Sequence, residues 1–431
     1  MRARVSVNHR DVKIAPSTAE TARAQSRGWY GLSPAVMRMS VFNFTIFLAW
    51  QITLPVAPLL AQSMNAAPLW IGLTIGARGL LPMVLGLPIG WLTDRLPVRT
   101  VQVMGGGCVL AATALMAGTN SIIPLIIAQA LGGLSVTVAS IAGQAFIASV
   151  TATRDRDEVY GRYSLIVALD NVAGPALGGL LAQWGGPKAA VVGGLVLAVA
   201  ALPLALVLPS RRTAAPVLIA TPRSQHPLAL LGLPTVLFTL FASFLVIFST
   251  SVKSSFYVIY LDRIGLGSGA IGIVLAISGA ARTVVRPMLS WATARTGRPR
   301  LLVFVCLTLA AGLAMVPVAG SRMTGQVALA VLHGIAYGLS QPLTITMMSH
   351  AVSVDNLGLA FAWRQIFSRC GELLGPLTMG WVAGAAGLEP VFWLAAGMLA
   401  IVALLPAARR RDGAVPSPGA EEKTAETDPH A

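Results

Sequence analysis

The stretch GWLTDRLPVR, Gly90 to Arg99, closes a run, residues 39 to 93, in which Arg78 is the one charged residue. The chain writes a variant of it again as SWATARTGRPR, Ser290 to Arg300, so that Trp91, Thr93 and Arg95 recur as Trp291, Thr293 and Arg295, 200 positions on. A second echo joins DNVAGPALGG, Asp170 to Gly179, to GELLGPLTMG, Gly371 to Gly380, where Gly174-Pro175 aligns with Gly375-Pro376 at an offset of 201. Self-similarity at half the chain length is the mark of two like halves.

Composition sets where those halves live. With 55% apolar and 11% charged residues, against about 25% charged in soluble domains, too little polar surface remains to face water. Twelve apolar stretches emerge, at residues 36–60, 69–92, 101–118, 122–148, 163–183, 189–208, 234–260, 268–292, 301–319, 326–350, 362–383 and 390–406. Each is long enough, at about 1.5 Å per residue, to cross a hydrocarbon layer of about 30 Å as a helix. A helix also satisfies its own backbone groups, which lipid cannot do. The expected fold is therefore all-α, with twelve transmembrane helices in two pseudo-symmetric six-helix bundles: residues 36–208 and 234–406, joined by a linker at 209–233. Residues 1–35 form a polar, basic tail with no cleavable leader pattern, and the Pro, Glu and Ala-rich end at 407–431 is expected to be disordered.

Basic residues orient this topology. Outside the spans, 21 Lys and Arg fall on the side that carries both tails, the middle linker and the 2/3, 4/5 and 8/9 loops, against 3 (Lys188, Arg263 and Arg322) on the other. The positive-inside rule then places both termini in the cytoplasm, in a cell (inner) membrane. The net charge of +15 is accordingly topological, and because it is spread over separate short loops it does not read as a nucleic-acid surface. Cys108, Cys306 and Cys370 lie within spans without metal-ligand spacing. No nucleophile and base pairing, metal cluster or phosphate-cradling loop stands out, so neither catalytic nor metal-binding residues are assigned and an enzyme is not expected. A receptor or scaffold would be expected to carry a sizeable soluble domain, which this chain does not have.

At these residues the chain resembles the major facilitator superfamily of secondary transporters, from about Val36 to Pro406. GWLTDR is similar to that family's signature loop between spans 2 and 3, with Pro97 and Val98 departing from it, and Ala294 replacing the acid in the second copy. The resemblance implies a gating loop formed by Gly90, Asp94, Arg95 and Arg99. Asp94 would meet the positive N-terminal end of span 11 when that face is closed, Arg95 and Arg99 would hold Asp94 or touch lipid headgroups, and Gly90 would permit close helix approach. Trp91 and Trp291 suit the interfacial aromatic belt. Gly174-Pro175-x-x-Gly178-Gly179 resembles a motif associated with antiporters, and PVAP, Pro55 to Pro58, is similar to a feature of the twelve-span drug:proton antiporters. Physically, such glycines let a neighbouring helix pack closely, while Pro175 removes a backbone hydrogen bond.

Charges inside the hydrocarbon cost about 2.5–3.5 kcal/mol each at a helix centre, so their presence needs a reason. The spans hold two acids, Asp170 and Glu372, and seven bases: Arg38, Arg78, Lys253, Arg282, Arg286, Arg364 and Arg369. Arg38 and Arg364 lie near span ends and are expected to snorkel. The resemblance sets span 5 against span 8 and span 2 against span 11, which would bring Asp170 to Arg286 or Arg282 and Glu372 to Arg78 across the halves. Arg286 and Arg369 are the candidates for ion pairs between the halves, the alternative for Arg369 being a static bridge within its helix to Glu372, three residues away. A carboxylate that gains and loses such a partner exchanges a proton as the halves rock, and the deeper Glu372 is the preferred carrier over Asp170. The family's proton-linked Arg of span 4 is absent, with Gln129 near its place. Arg78, Asn171, Lys253, Arg282, His333 and Tyr337 are the cavity candidates, and the excess of bases favours an anionic or zwitterionic cargo. The reading is a carrier, expected to act as a monomer in lipid without a cofactor, that exports a small organic compound by proton antiport, the proton gradient supplying the energy. The alternative is proton-coupled uptake, by symport, of a small organic anion.

Overall fold

The structure, a computed structural model, describes residues 32–151, 155–210, 229–352 and 357–404. Among these the chain is helical and holds no strand. Most of the expected N-terminal tail, the C-terminal tail and most of the linker lie outside the described residues, and the first helix opens at Pro34, two residues before the expected span.

Among the described residues, seven stretches are long and apolar enough to cross a membrane by length and composition. One of them, Glu158–Leu206, holds two spans. It folds back at Gly185 and Gly186, where Gly186 adopts φ 75° and ψ 175°, a left-handed conformation that only glycine takes readily. The fold-back is evident in the packing, because Gly178 before the kink and Gly194 after it both press on the backbone of residues 49 to 52 in span 1. A straight helix would hold those two glycines about 24 Å apart at 1.5 Å per residue. The remaining spans, 1, 9, 11 and 12, are built on Pro34–Gln51, Arg298–Ala314, Leu357–Ala386 and Leu388–Ala400, which are shorter or less uniformly apolar.

Proline and polar residues segment the rods where hydropathy alone draws them as continuous. Span 1 stops at Gln51, passes through turns over residues 52 to 56 that include Pro55, and resumes as Ala57–Ser63. In span 8 the α-helix Ser268–Val284 gives way to a 3-10 turn, Arg286–Met288, at Pro287 before Leu289–Thr296. Span 7 contains a π-helical turn, Lys253–Tyr257, between Pro234–Val252 and Val258–Arg263. Such turns commonly mark functional positions.

Within the first half, spans 2, 3 and 4 pack on one another and span 1 lies against spans 5 and 6; in the second half, span 7 packs on span 11 and span 9 on spans 10 and 12. Two contacts dominate between the halves, span 2 (Pro68–Arg95) on span 11 and span 5 on span 8. Both are made at one end only. A Cβ on Gly76 would sit 2.8 Å from the Leu373 carbonyl oxygen, whereas Gly86 and Gly90, further along the same helix, have nothing within 4 Å. The halves thus form a V, closed on the face of the 1/2 and 7/8 connections and open on the face of the 2/3 and 8/9 loops. The close approach expected at Gly90 belongs to the closed form of this face; in the present conformation the face is splayed and nothing lies within 4 Å of a Cβ placed there. The Asp94 side chain lies outside the described residues.

At the vertex, a Cβ on Gly272 would lie 2.5 Å from the Pro175 carbonyl oxygen and 2.8 Å from Gly179 Cα. Gly272→Val should therefore disfavour this closed face by about 1–3 kcal/mol, enough to shift a two-state population. A cysteine placed at Leu54 in the cavity should become reactive toward an impermeant thiol reagent applied from the closed face. Unchanged labelling would show that this crossing does not control access.

Candidate transport cavity

Between the halves lies a cavity of about 440 Å³. Its lining includes all six residues named from sequence as cavity candidates, Arg78, Asn171, Lys253, Arg282, His333 and Tyr337, along with Arg369 and Glu372. A second hollow of about 350 Å³ adjoins it, shares Gln51, Arg78, Asn171, Arg369 and Glu372, and adds Asp170.

The first-half wall is organised around two buried charged groups. Arg78, 7% exposed, donates from Nε to Gln129 Oε1 at 2.6 Å and lies 5.8 Å from the Trp50 ring. Its Nη2 is buried without a hydrogen-bond partner. Gln129, near the place of the family's span 4 arginine, thus orients an arginine supplied by span 2. Gly132 and Gly133 make room for this arrangement, the first against the Trp50 ring and the second against the Arg78 backbone. Asp170 is buried and opens the helix that carries the Gly174-Pro175 motif. Gln51 Nε2 donates to Asn171 Oδ1 at 3.0 Å, and Asn171 Nδ2 donates in turn to Asp170 Oδ1. A chain of amides therefore links span 1 to the carboxylate.

The second-half wall is basic and aromatic. Lys253, 8% exposed, opens the π-turn and sits 5.2 Å from the Tyr257 ring, and Arg282 lies 5.4 Å from the Tyr337 ring. His333 stacks on Tyr337 with centroids 6.5 Å apart. Aromatic faces attract cations, most of all when both are desolvated. Arg282 Nε and His333 Nε2 are nevertheless buried without hydrogen-bond partners.

The expected ion pairs are arranged differently. Arg369 Nη1 donates to Glu372 Oε2 at 2.6 Å, so Arg369 pairs within span 11 rather than between the halves, as i, i+3 spacing allows. Arg78 stands within electrostatic range of Glu372 but does not bond it. Asp170 is within electrostatic range of Arg282 and Arg286, yet no direct bridge between them occurs among the described residues. Arg286 itself lies exposed on the 3-10 turn of the splayed face. Arg38 reaches the Val207 carbonyl oxygen at 3.1 Å near the span ends, whereas Arg364, expected to snorkel, turns inward to Gln341 Oε1 at 3.4 Å.

The packing motif works through close approach. Gly174 and Gly178 meet Gln51 and Ile52 of span 1, and Gly179 meets span 8. In the loops, Arg95 lies 3.9 Å from the Trp91 ring and Arg295 lies 4.4 Å from the Trp291 ring. The 200-residue echo is therefore a repeated Trp and Arg pair one helical turn apart, which the sequence reading had assigned to separate roles. Arg99 stands partly buried at the start of Val98–Gly118.

The model of the Major Facilitator Superfamily matches residues 39–325 and 239–429. The chain belongs to this superfamily. The superfamily's transporters place it among multi-pass membrane proteins, not in an enzyme class. The class C tetracycline resistance protein of Escherichia coli is 26% identical over 351 residues, 79% of this chain and 86% of that one. An uncharacterised MFS-type transporter of Bacillus subtilis, YdeG, is 34% identical, but the match spans only 28% of this chain and 27% of that protein. The crystal structure of the nucleoside transporter NupG superposes with a TM-score of 0.75 over 88% of this chain and 100% of that one, at 14% identity, a likeness of fold.

Sequence reasoning passed over Trp50 and Gln51 because they are isolated at the end of an apolar run; a Gln next to a helix-breaking PVAP was the available signal. Replacing Gln129 by Leu should leave a second Arg78 N–H unpaired, costing about 1–3 kcal/mol. Gln129→Leu should melt earlier and transport about tenfold more slowly than Gln129→Glu, which keeps an acceptor. Equal behaviour of the two variants would show that the bond does not position Arg78.

Proposed function

We propose that this superfamily member is a proton-coupled exporter of a small organic compound, lying in the cell (inner) membrane with both termini cytoplasmic and acting as a monomer. The observation that carries the reading is a cavity between two halves, sealed at one end and splayed at the other, with a buried carboxylate, Asp170, and a half-buried one, Glu372, on its walls. Similarity to a tetracycline resistance protein over 79% of the chain supports export of a drug-like compound. In the described conformation the loading face would be the cytoplasmic one.

The coupling role falls differently on the two acids than depth alone suggests. Arg369 sits on the same helix as Glu372 and moves with it, so rocking leaves that pair intact. The cations near Asp170, Arg282 and Arg286, belong to the opposite half. Separation of spans 5 and 8 removes them, and their return restores them. A carboxylate whose cationic neighbours come and go in this way takes up and releases a proton once per cycle. Asp170 is therefore the first candidate for the coupling proton, with Glu372 holding the wall together. Proton-linked uptake of an organic anion is the second reading, favoured by the basic second-half wall.

Proteoliposome flux under an imposed pH gradient tests both, with tetracycline and other drug-like compounds, nucleosides and organic acids as the panel. Export requires cargo to move against the proton flow, and Asp170→Asn should lower gradient-driven flux at least about tenfold while leaving downhill exchange measurable. Glu372→Gln should retain coupling. Cargo moving with the protons would establish uptake instead, and flux indifferent to the gradient would contradict both.

A further inference from the structure

Within the cavity, the positive charges do not balance. Arg369 is neutralised by its direct bond to Glu372, and Arg282 shares Asp170 with Arg286. Lys253 has no hydrogen bond or ion pair among the described residues, only the face of Tyr257, although it is 8% exposed. Next to it on the same wall stands His333, within electrostatic range of Lys253 and Arg282 and with Nε2 buried and unpartnered. From the other half, Arg78 presents an equally unpartnered Nη2 and lines the same cavity.

Such an arrangement is costly unless something completes it. A buried cation without an anion, and a buried N–H without an acceptor, each forfeit hydration that the protein does not replace. The aromatic faces beside Lys253, Arg282 and Arg78 offset part of this but supply no acceptor atoms. A π-turn places Lys253 at the cavity, and span 2 packs directly against that turn, so these two cations, neither bonded to an anion among the described residues, come from helices in contact across the halves.

We propose that this wall is an anion subsite: Lys253 takes a carboxylate of the cargo, with Arg282 and His333 beside it and Arg78 completing the site from the opposite half. The cargo is thus a small organic acid or a zwitterion that presents its carboxylate here. A carboxylate offers two oxygens and about four lone-pair positions, which suits several converging donors. An anion held by both halves also draws them together, so binding favours closure around the cargo.

The inference rests on reading the cavity as the cargo site, but its test needs no flux. Ser254, which lines the cavity next to Lys253, is replaced by Cys in a chain whose native cysteines are changed to Ala; Thr250→Cys serves as an independent second position. Reaction rates with an anionic sulfonatoethyl and a cationic trimethylammonium-ethyl methanethiosulfonate are compared, each divided by its rate with a free thiol. The normalised anionic rate should exceed the cationic one by about tenfold or more, and Lys253→Met should remove most of that preference. A cationic preference, equal rates, or a ratio that Lys253→Met leaves unmoved would overturn the subsite. A clear anion preference together with absent proton-driven flux would leave the subsite standing and remove the proposed exporter.

Discussion

Helices bring their backbones close where at least one of them carries no side chain, and this chain concentrates that possibility at one end of its two inter-half crossings. Gly179 meets Gly272 between spans 5 and 8, and Gly76 meets the span 11 backbone at Leu373. Because the same helices lose contact further along, at Gly86 and Gly90, the structure is hinged rather than uniformly packed. The cavity follows from that geometry. So does its access, since the residues that line it lie between a sealed vertex and a splayed mouth.

Charge then decides what the cavity can do. Low dielectric makes every embedded ionic group seek compensation, and the two acids find it in different ways. Glu372 carries its partner on its own helix, which makes it a fixed part of the second half. Asp170 depends on span 8 for cations and on Asn171 and Gln51 for hydrogen bonds, so its surroundings change when the halves move. Lys253 and Arg78 keep positive charge unspent toward the interior, held by aromatic rings that stabilise a cation without neutralising it.

Much of this was legible in the sequence, and the limits have physical causes. Hydropathy locates the spans because lipid imposes one length and one polarity on each. The i, i+3 spacing of Arg369 and Glu372 offered their bridge as one of two readings, and the i, i+4 spacing of Lys253 and Tyr257 permits their contact. Contacts between spans were beyond reach: nothing local says that Tyr337 lies by Arg282, or that Gln129 bonds Arg78. The fold-back at Gly185-Gly186 falls in the gap drawn between spans 5 and 6, whereas the break after Gln51 and the π-turn at Lys253 were invisible to a window that averages over breaks. Which face stands open is not a property of sequence at all, since both conformations share it. That is why the sequence leaves open whether Gly90 stands close to the other half or apart from it.

The most direct test of the hinged account measures both ends of the V at once. Spin labels at Thr100 and Arg300 report the splayed face, and labels at Ser63 and Arg263 report the sealed one, with distances taken by pulsed electron resonance at acid and alkaline pH. The account predicts a second population in which the first distance shortens while the second lengthens. Two distances that stay single and fixed, or that lengthen together, would contradict it.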